Sequence, residues 1–210
     1  MPGFAAEDES FHRLRVCLVA GGSIGRHDEP TAALQAALAV NSAMTCIRVF
    51  CDSAEGLLGL ECLDDVDCLV LFGRQITVVG ASIGGYLFDN YAHDFTHLDV
   101  ETPGDDAQWD VGIERIRVET AEGAERHPVA ANVEPFMAHG TPQRLSRVGG
   151  DCQVLLVGTS GDRAVPVGWI ERCPGARVFR TTLGHPSDFH DPRFVRLLTG
   201  AICWAGRRQE

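Results

Sequence analysis

Pro166–Trp204 reads PVGWIERCPGARVFRTTLGHPSDFHDPRFVRLLTGAICW, and this stretch decides how the chain folds. Within it, Arg177–Leu183 sets arginines and threonines against Val178, Phe179 and Leu183, the pattern of a half-buried or central strand. Gly184 frees the backbone, His185 follows where the strand ends, and Pro186-Ser187-Asp188 opens a loop. Beyond it Phe194, Leu197, Leu198, Ala201, Ile202 and Ala205 recur at spacings of three and four, which predicts an amphipathic helix. Asp191 as N-cap with Pro192 at the first helical position is its start signal. A titratable imidazole at the carboxyl end of a strand, before a closing helix, lies where α/β folds place chemistry.

Leu14–Ala20 (LRVCLVA) is predicted as a buried strand, and it runs into the glycine-rich turn Gly21-Gly22-Ser23-Ile24-Gly25. That turn lacks both the GxGxxG order and the Walker lysine of a phosphate cradle. A helix over Thr31–Ser42, a strand over Thr45–Cys51, a short helix or turn over Leu57–Asp64 and a strand over Val66–Phe72 follow. This β-α-β-(α)-β order marks a parallel, doubly wound sheet. Gly73-Arg74-Gln75 then leads straight into Ile76–Val79. Parallel neighbours need a crossover of about a dozen residues, so either these two runs form a hairpin or one of them is not a strand. Further strands are expected over Val111–Val118 and Asp151–Gly158, with the segment between Tyr86 and Glu125 otherwise polar and irregular.

Length and composition suit one α/β domain of 22.7 kDa spanning residues 14–208, after a polar leader over residues 1–13. The net charge of −11, with every basic residue an arginine, argues against a nucleic-acid partner. The eight cysteines form no CxxC pair and sit in apolar runs, as reduced thiols packed like small hydrophobes would. Without an apolar leader or a run of about 18 apolar residues, the expectation is a cytoplasmic protein with no membrane span. A homo-oligomer is compatible with this composition.

Several clusters carry a family resemblance. Pro166-Val167-Gly168-Trp169, Gly175–Phe179, Thr182-Leu183-Gly184-His185, Asp191-Pro192-Arg193-Phe194 and Gly200–Ala205 together resemble the end of a ThuA-like (trehalose-utilisation) domain. Gly84-Gly85-Tyr86 with His93, and His127-Pro128, are similar to further segments of that family. The resemblance implies a flavodoxin-like three-layer α/β/α sandwich with a mostly parallel sheet, of the class I glutamine amidotransferase kind. It also implies a link to sugar metabolism, with His27-Asp28 and His93 near the pocket. The family commonly has an acid downstream of its His-Pro motif, where MAHGTPQRL here offers His139 and no acid.

Three constellations bear on chemistry. ITVVGASIGG (Ile76–Gly85) has the G-x-S-x-G pattern of a nucleophile elbow, and Ser82 with His185 and Asp188 would form a serine triad. Asp188 would then orient the His185 ring. In an α/β-hydrolase order the acid would instead be Asp162, which otherwise reads as a turn residue in Ser160-Gly161-Asp162. The plain alternative makes Gly80–Gly85 a close-packed turn with Ser82 as a helix cap. The second constellation is the histidine set His27, His93, His97, His127, His139 and His185, with imidazoles that titrate near neutrality. None has HExxH spacing, so no metal and no cofactor are expected. Among the aromatics, Trp109 is a candidate sugar platform, while Trp169 and Trp204 read as core or edge packing.

These observations lead to a protein that binds or acts on a sugar-like molecule at the carboxyl edge of the sheet. His185 would be acid or base, and His27, Asp28, His93 and Trp109 would contact the ligand. A catalytically silent binding or regulatory module and a serine hydrolase are the alternatives.

Overall fold

The computed structural model describes residues 13–21, 28–41, 43–51, 66–72, 77–81, 114–140, 152–173 and 176–206. In chain order the elements are β1 (Leu14–Gly21), α1 (Asp28–Ala39), β2 (Met44–Cys51), β3 (Cys68–Phe72), β4 (Thr77–Ala81), β5 (Glu114–Thr120) and β6 (Phe136–Gly140). There follow β7 (Cys152–Ser160), β8 (Arg163–Cys173), β9 (Ala176–Thr181), a 3-10 helix (Pro186–His190) and α2 (Pro192–Gly206). The strands join into one sheet in the order β2-β1-β3-β4-β9-β8-β7-β5-β6.

Connection length explains the pairing. β1 pairs in parallel with β2 and β3, and α1 supplies the crossover between β1 and β2. Only residues 73–76 separate β3 from β4, too few for a crossover, and the two pair antiparallel as a hairpin. β7 and β8 are joined by the two-residue turn Gly161-Asp162, with Gly161 at φ +57° as such tight hairpins require. Two residues also separate β8 from β9, and every remaining neighbouring pair is antiparallel.

The flavodoxin-like three-layer α/β/α sandwich of the class I amidotransferase kind is therefore corrected. The sheet is mostly antiparallel, and the described residues contain two α-helices, which touch each other and so share one face of it. The physical reason is the missing crossovers after β3: short links reverse the chain, where a doubly wound fold needs a helix each time. Arg163–Cys173, not expected as a strand, is the longest strand among the described residues.

One hydrophobic cluster holds the two halves together. From α1 it takes Leu34 and Leu38; from α2 it takes Phe194, Leu197, Leu198, Ala201, Ile202 and Ala205, the whole stripe predicted from spacing. From the antiparallel half it takes Ile116, Val118, Phe136, Ala138, Leu155, Leu156 and Val167. For one cluster to include strands from both ends of the sheet, the antiparallel half must curl. The β7–β8 ladder shows where: its register skips Leu155 on one strand and Val167 on the other, and bulges of this kind bend and twist a sheet.

Pairing also fixes strand direction. β1, β2, β3, β9, β7 and β6 all run the same way, with β4, β8 and β5 opposed. The carboxyl ends of six strands thus meet at one edge, and that edge carries the 3-10 helix.

Phe194 is fully buried against Phe189, with ring centroids 5.1 Å apart, and against Phe136 at 6.3 Å. It thereby ties α2 to both the 3-10 helix and β6. Phe194→Ala is expected to cost about 3–5 kcal/mol, checked by urea denaturation; a loss below about 1 kcal/mol would show that this aromatic junction does not hold the curl.

Candidate functional site

The chain reaches the site from the bulge in β8. The carbonyl of Val167 accepts the Thr181 hydroxyl at 2.6 Å and the Thr182 N–H at 3.1 Å. The Leu183 N–H donates in turn to the Thr181 hydroxyl, at 3.2 Å. This anchors the end of β9 and sends Leu183 into the core, where it is buried. Gly184 follows at φ +128°, a conformation that side chains rarely tolerate, and its N–H turns toward Asp188.

Asp188 is 2% exposed, and its carboxylate accepts from three N–H groups. These are the backbone N–H of His139 at 3.0 Å, Nδ1 of His139 at 2.8 Å and the Gly184 N–H at 3.3 Å. Among the described residues β6 is the last strand of the sheet and pairs with β5 alone. The carboxylate therefore bonds an N–H that an edge strand would otherwise leave to water. Two turns of chain later, Arg193 does the same kind of work: its Nη1 donates to the Pro135 carbonyl at 3.0 Å, just before β6 begins. Asp191 grips that guanidinium from two oxygens and also caps α2 through the Arg193 N–H, as its N-cap position predicts. The hydrogen-bonded Arg193 side chain holds the Asp191 carboxyl below the usual carboxylate range.

Imidazole tautomers follow from these partners. An ionised carboxylate only accepts, so Nδ1 of His139 carries a proton. The His139 side chain is 29% exposed, which leaves the ring open to a small molecule. His185 has the opposite arrangement. Its Nδ1 accepts the Ser187 N–H at 3.2 Å, so its proton resides on Nε2. The two rings are in contact, centroids 4.7 Å apart and planes tilted by 35°. Two imidazoles thus lie together at the carboxyl edge, one donating through Nδ1 to Asp188 and the other accepting at Nδ1 from Ser187.

Placement of the predicted residues follows. His185 and Asp188 are in this cluster, but Asp188 orients His139 and not His185. Ser82, His27, His93 and Trp109 lie outside the described residues, and of Asp28 only its backbone position as the first residue of α1 is described. α1 packs against the 3-10 helix. Asp162 is a turn residue between β7 and β8, exposed at the tip of the hairpin. Trp169 is buried in β8, and its Nε1 donates to Glu171 at 3.3 Å. Cys17 and Cys68 are buried thiols, and Cys46 is pushed up to about 11 by burial. The described residues contain no group of three or more ligands arranged to hold a metal ion, and no helix among them is long and apolar enough to cross a membrane.

His139 belonged to the histidine set but was not singled out for the site. The available signal was its place at the end of the short apolar run Phe136-Met137-Ala138, which behaves as a strand with Phe136 and Ala138 buried. His127 takes a structural part instead. It stands edge-on to Trp204 at 5.0 Å, while Arg177 lies 5.8 Å from the same indole and donates to the Trp204 carbonyl at 2.9 Å.

Comparison of the chain with protein-family models, with curated proteins and with solved structures found no match.

Two outcomes test this geometry. Asp188→Ala strips three donors of their acceptor in a buried place and is expected to lower stability by about 1–3 kcal/mol, measured by urea titration; an unchanged midpoint would disprove the stitch. Desolvation lowers the His127 pKa from 6.5, so the unfolded chain binds the proton more readily than the folded one. Stability should therefore fall as pH drops below 6.5, and His127→Gln should flatten that part of the pH–stability curve.

Proposed function

We propose that this protein binds a sugar-like small molecule at the carboxyl edge of its sheet and acts on it by proton transfer at His139 and His185. The observation that carries this reading is the buried Asp188 carboxylate holding one imidazole by Nδ1 while a second imidazole, in the other tautomer, stacks beside it. Fixing a ring in this way costs a buried charge. It leaves a half-exposed base whose direction is set, and that is the arrangement general acid–base catalysis needs. Hydrogen-bonding imidazole nitrogens suit an uncharged polyhydroxy ligand. They offer little to a polyanion, in keeping with the net charge of −11.

A thermal-shift panel of D-glucose, D-fructose, trehalose and dihydroxyacetone tests it. A sugar present at ten times its Kd should raise Tm by about 3–6 °C. His139→Gln and His185→Gln, each folded by circular dichroism, should lose most of that shift. If no sugar of the panel stabilises the wild type, or if both variants respond as the wild type does, the reading is wrong.

A further inference from the structure

Resting on that reading, we infer that the ligand is a sugar acid whose single carboxylate is taken by Arg115, the residue directly across the sheet from His139. The register of β5 and β6 sets Arg115 opposite His139 and Ile116 opposite Ala138. Ile116 and Ala138 are fully buried, and successive side chains of a strand alternate between its two faces. Arg115 and His139 therefore leave the sheet on the same outward face, the one that also carries the exposed pair Arg117 and Met137. The His139 N–H is bonded to Asp188 and so points away from β5. Arg115 and His139 are thus a pair without mutual backbone hydrogen bonds, the kind whose Cα atoms approach to about 4.5 Å and whose side chains stand closest.

Charge on this face is unevenly matched. Arg117 is ion-paired with Glu119. Arg115 is exposed and, among the described residues, makes no hydrogen bond and no ion pair. The Asp188 carboxylate near it is 2% exposed and already accepts from His139 and Gly184, so it is not offered to the guanidinium. A guanidinium presents its N–H groups as a planar fork, which a carboxylate meets with two parallel charge-assisted bonds. A hydroxyl brings no charge to that fork. With its carboxylate held there, a sugar acid has its neighbouring hydroxyl-bearing carbons within reach of the His139 ring, whose side chain is 29% exposed. The net charge of −11 repels anions at a distance, but salt screens that field beyond about 8 Å. At close range the guanidinium decides, and one guanidinium suits one carboxylate and not a polyanion.

Isothermal titration with D-glucuronate and its uncharged amide, D-glucuronamide, isolates the carboxylate. The wild type should bind the acid about 3- to 10-fold more tightly than the amide at low salt, and 1 M NaCl should remove most of that preference. Arg115→Gln, folded by circular dichroism, should bind the acid no better than the amide, while Arg115→Lys should keep part of the preference because it keeps the charge without the fork. Arg117→Gln, two residues along the same face, should keep the full preference; its loss there would show a general surface field and overturn the assignment to Arg115. An acid bound no more tightly than its amide by the wild type, or a preference that survives in Arg115→Gln, overturns it as well. If the panel sugars raise Tm in those cases, the binding reading survives and only this inference fails; if neither the panel nor the acid binds, both fail.

Discussion

A single buried carboxylate, Asp188, closes the antiparallel half of this protein on itself. The sheet runs from β9 through β8, β7 and β5 to β6, four strands away, and ends in an edge that would normally pair with water or with another chain. The bulges at Leu155 and Val167 bend that sheet until β6 returns to the segment after β9. There the Asp188 carboxylate bonds the His139 backbone as a further strand would. Isolated in an apolar surrounding, such a charge would be costly. Three N–H donors meet it, and Phe189, its chain neighbour, fills the space beneath between Phe72 and Phe194. The same bond that finishes the sheet sets the orientation of an imidazole, so architecture and chemistry share one interaction.

Where the chain is regular in period, sequence and structure agree. The helical stripe from Phe194 to Ala205 is buried as its spacing requires, and Asp191 caps it. The early strands fall within a few residues of their expected places, and the short link after Phe72 does produce a hairpin, one of the two readings it permitted. The error lay in carrying the β-α-β rhythm of the first seventy residues, and the layered fold implied by family resemblance, through to the end. Link length held the contrary information. Gly161-Asp162 is a two-residue turn between β7 and β8, and β8 itself was hidden by Pro166 and Gly168, residues that ordinarily argue against a strand interior. Both sit beside the bulge, where regular pairing lapses and such residues are tolerated.

The site divides along similar lines. His185 and Asp188 could be found because local signals mark them: a strand end, a glycine, a proline and an N-cap. Their spacing suggested that they serve each other. Instead Nδ1 of His185 accepts the Ser187 N–H, and the carboxylate bonds a residue 49 positions away. No local pattern announces a bond across that distance. It depends on the sheet having curled, which in turn depends on two bulges that periodicity cannot show.

The long reach of that bond also bears on the order of events during folding. Contacts between residues far apart in the chain are slow to form, since the intervening loop must be closed before they stabilise anything. The parallel half, with β1, α1 and β2 consecutive, can organise early during synthesis. β6 must wait for the chain to extend through β7, β8 and β9 to Asp188 before its edge is covered. A nascent or C-terminally clipped chain that stops short of Asp188 would also lack the α2 stripe of the core, and would leave the β6 edge uncovered and the His139 ring unheld. Acquisition of the acid–base centre and concealment of that strand would be one and the same late event.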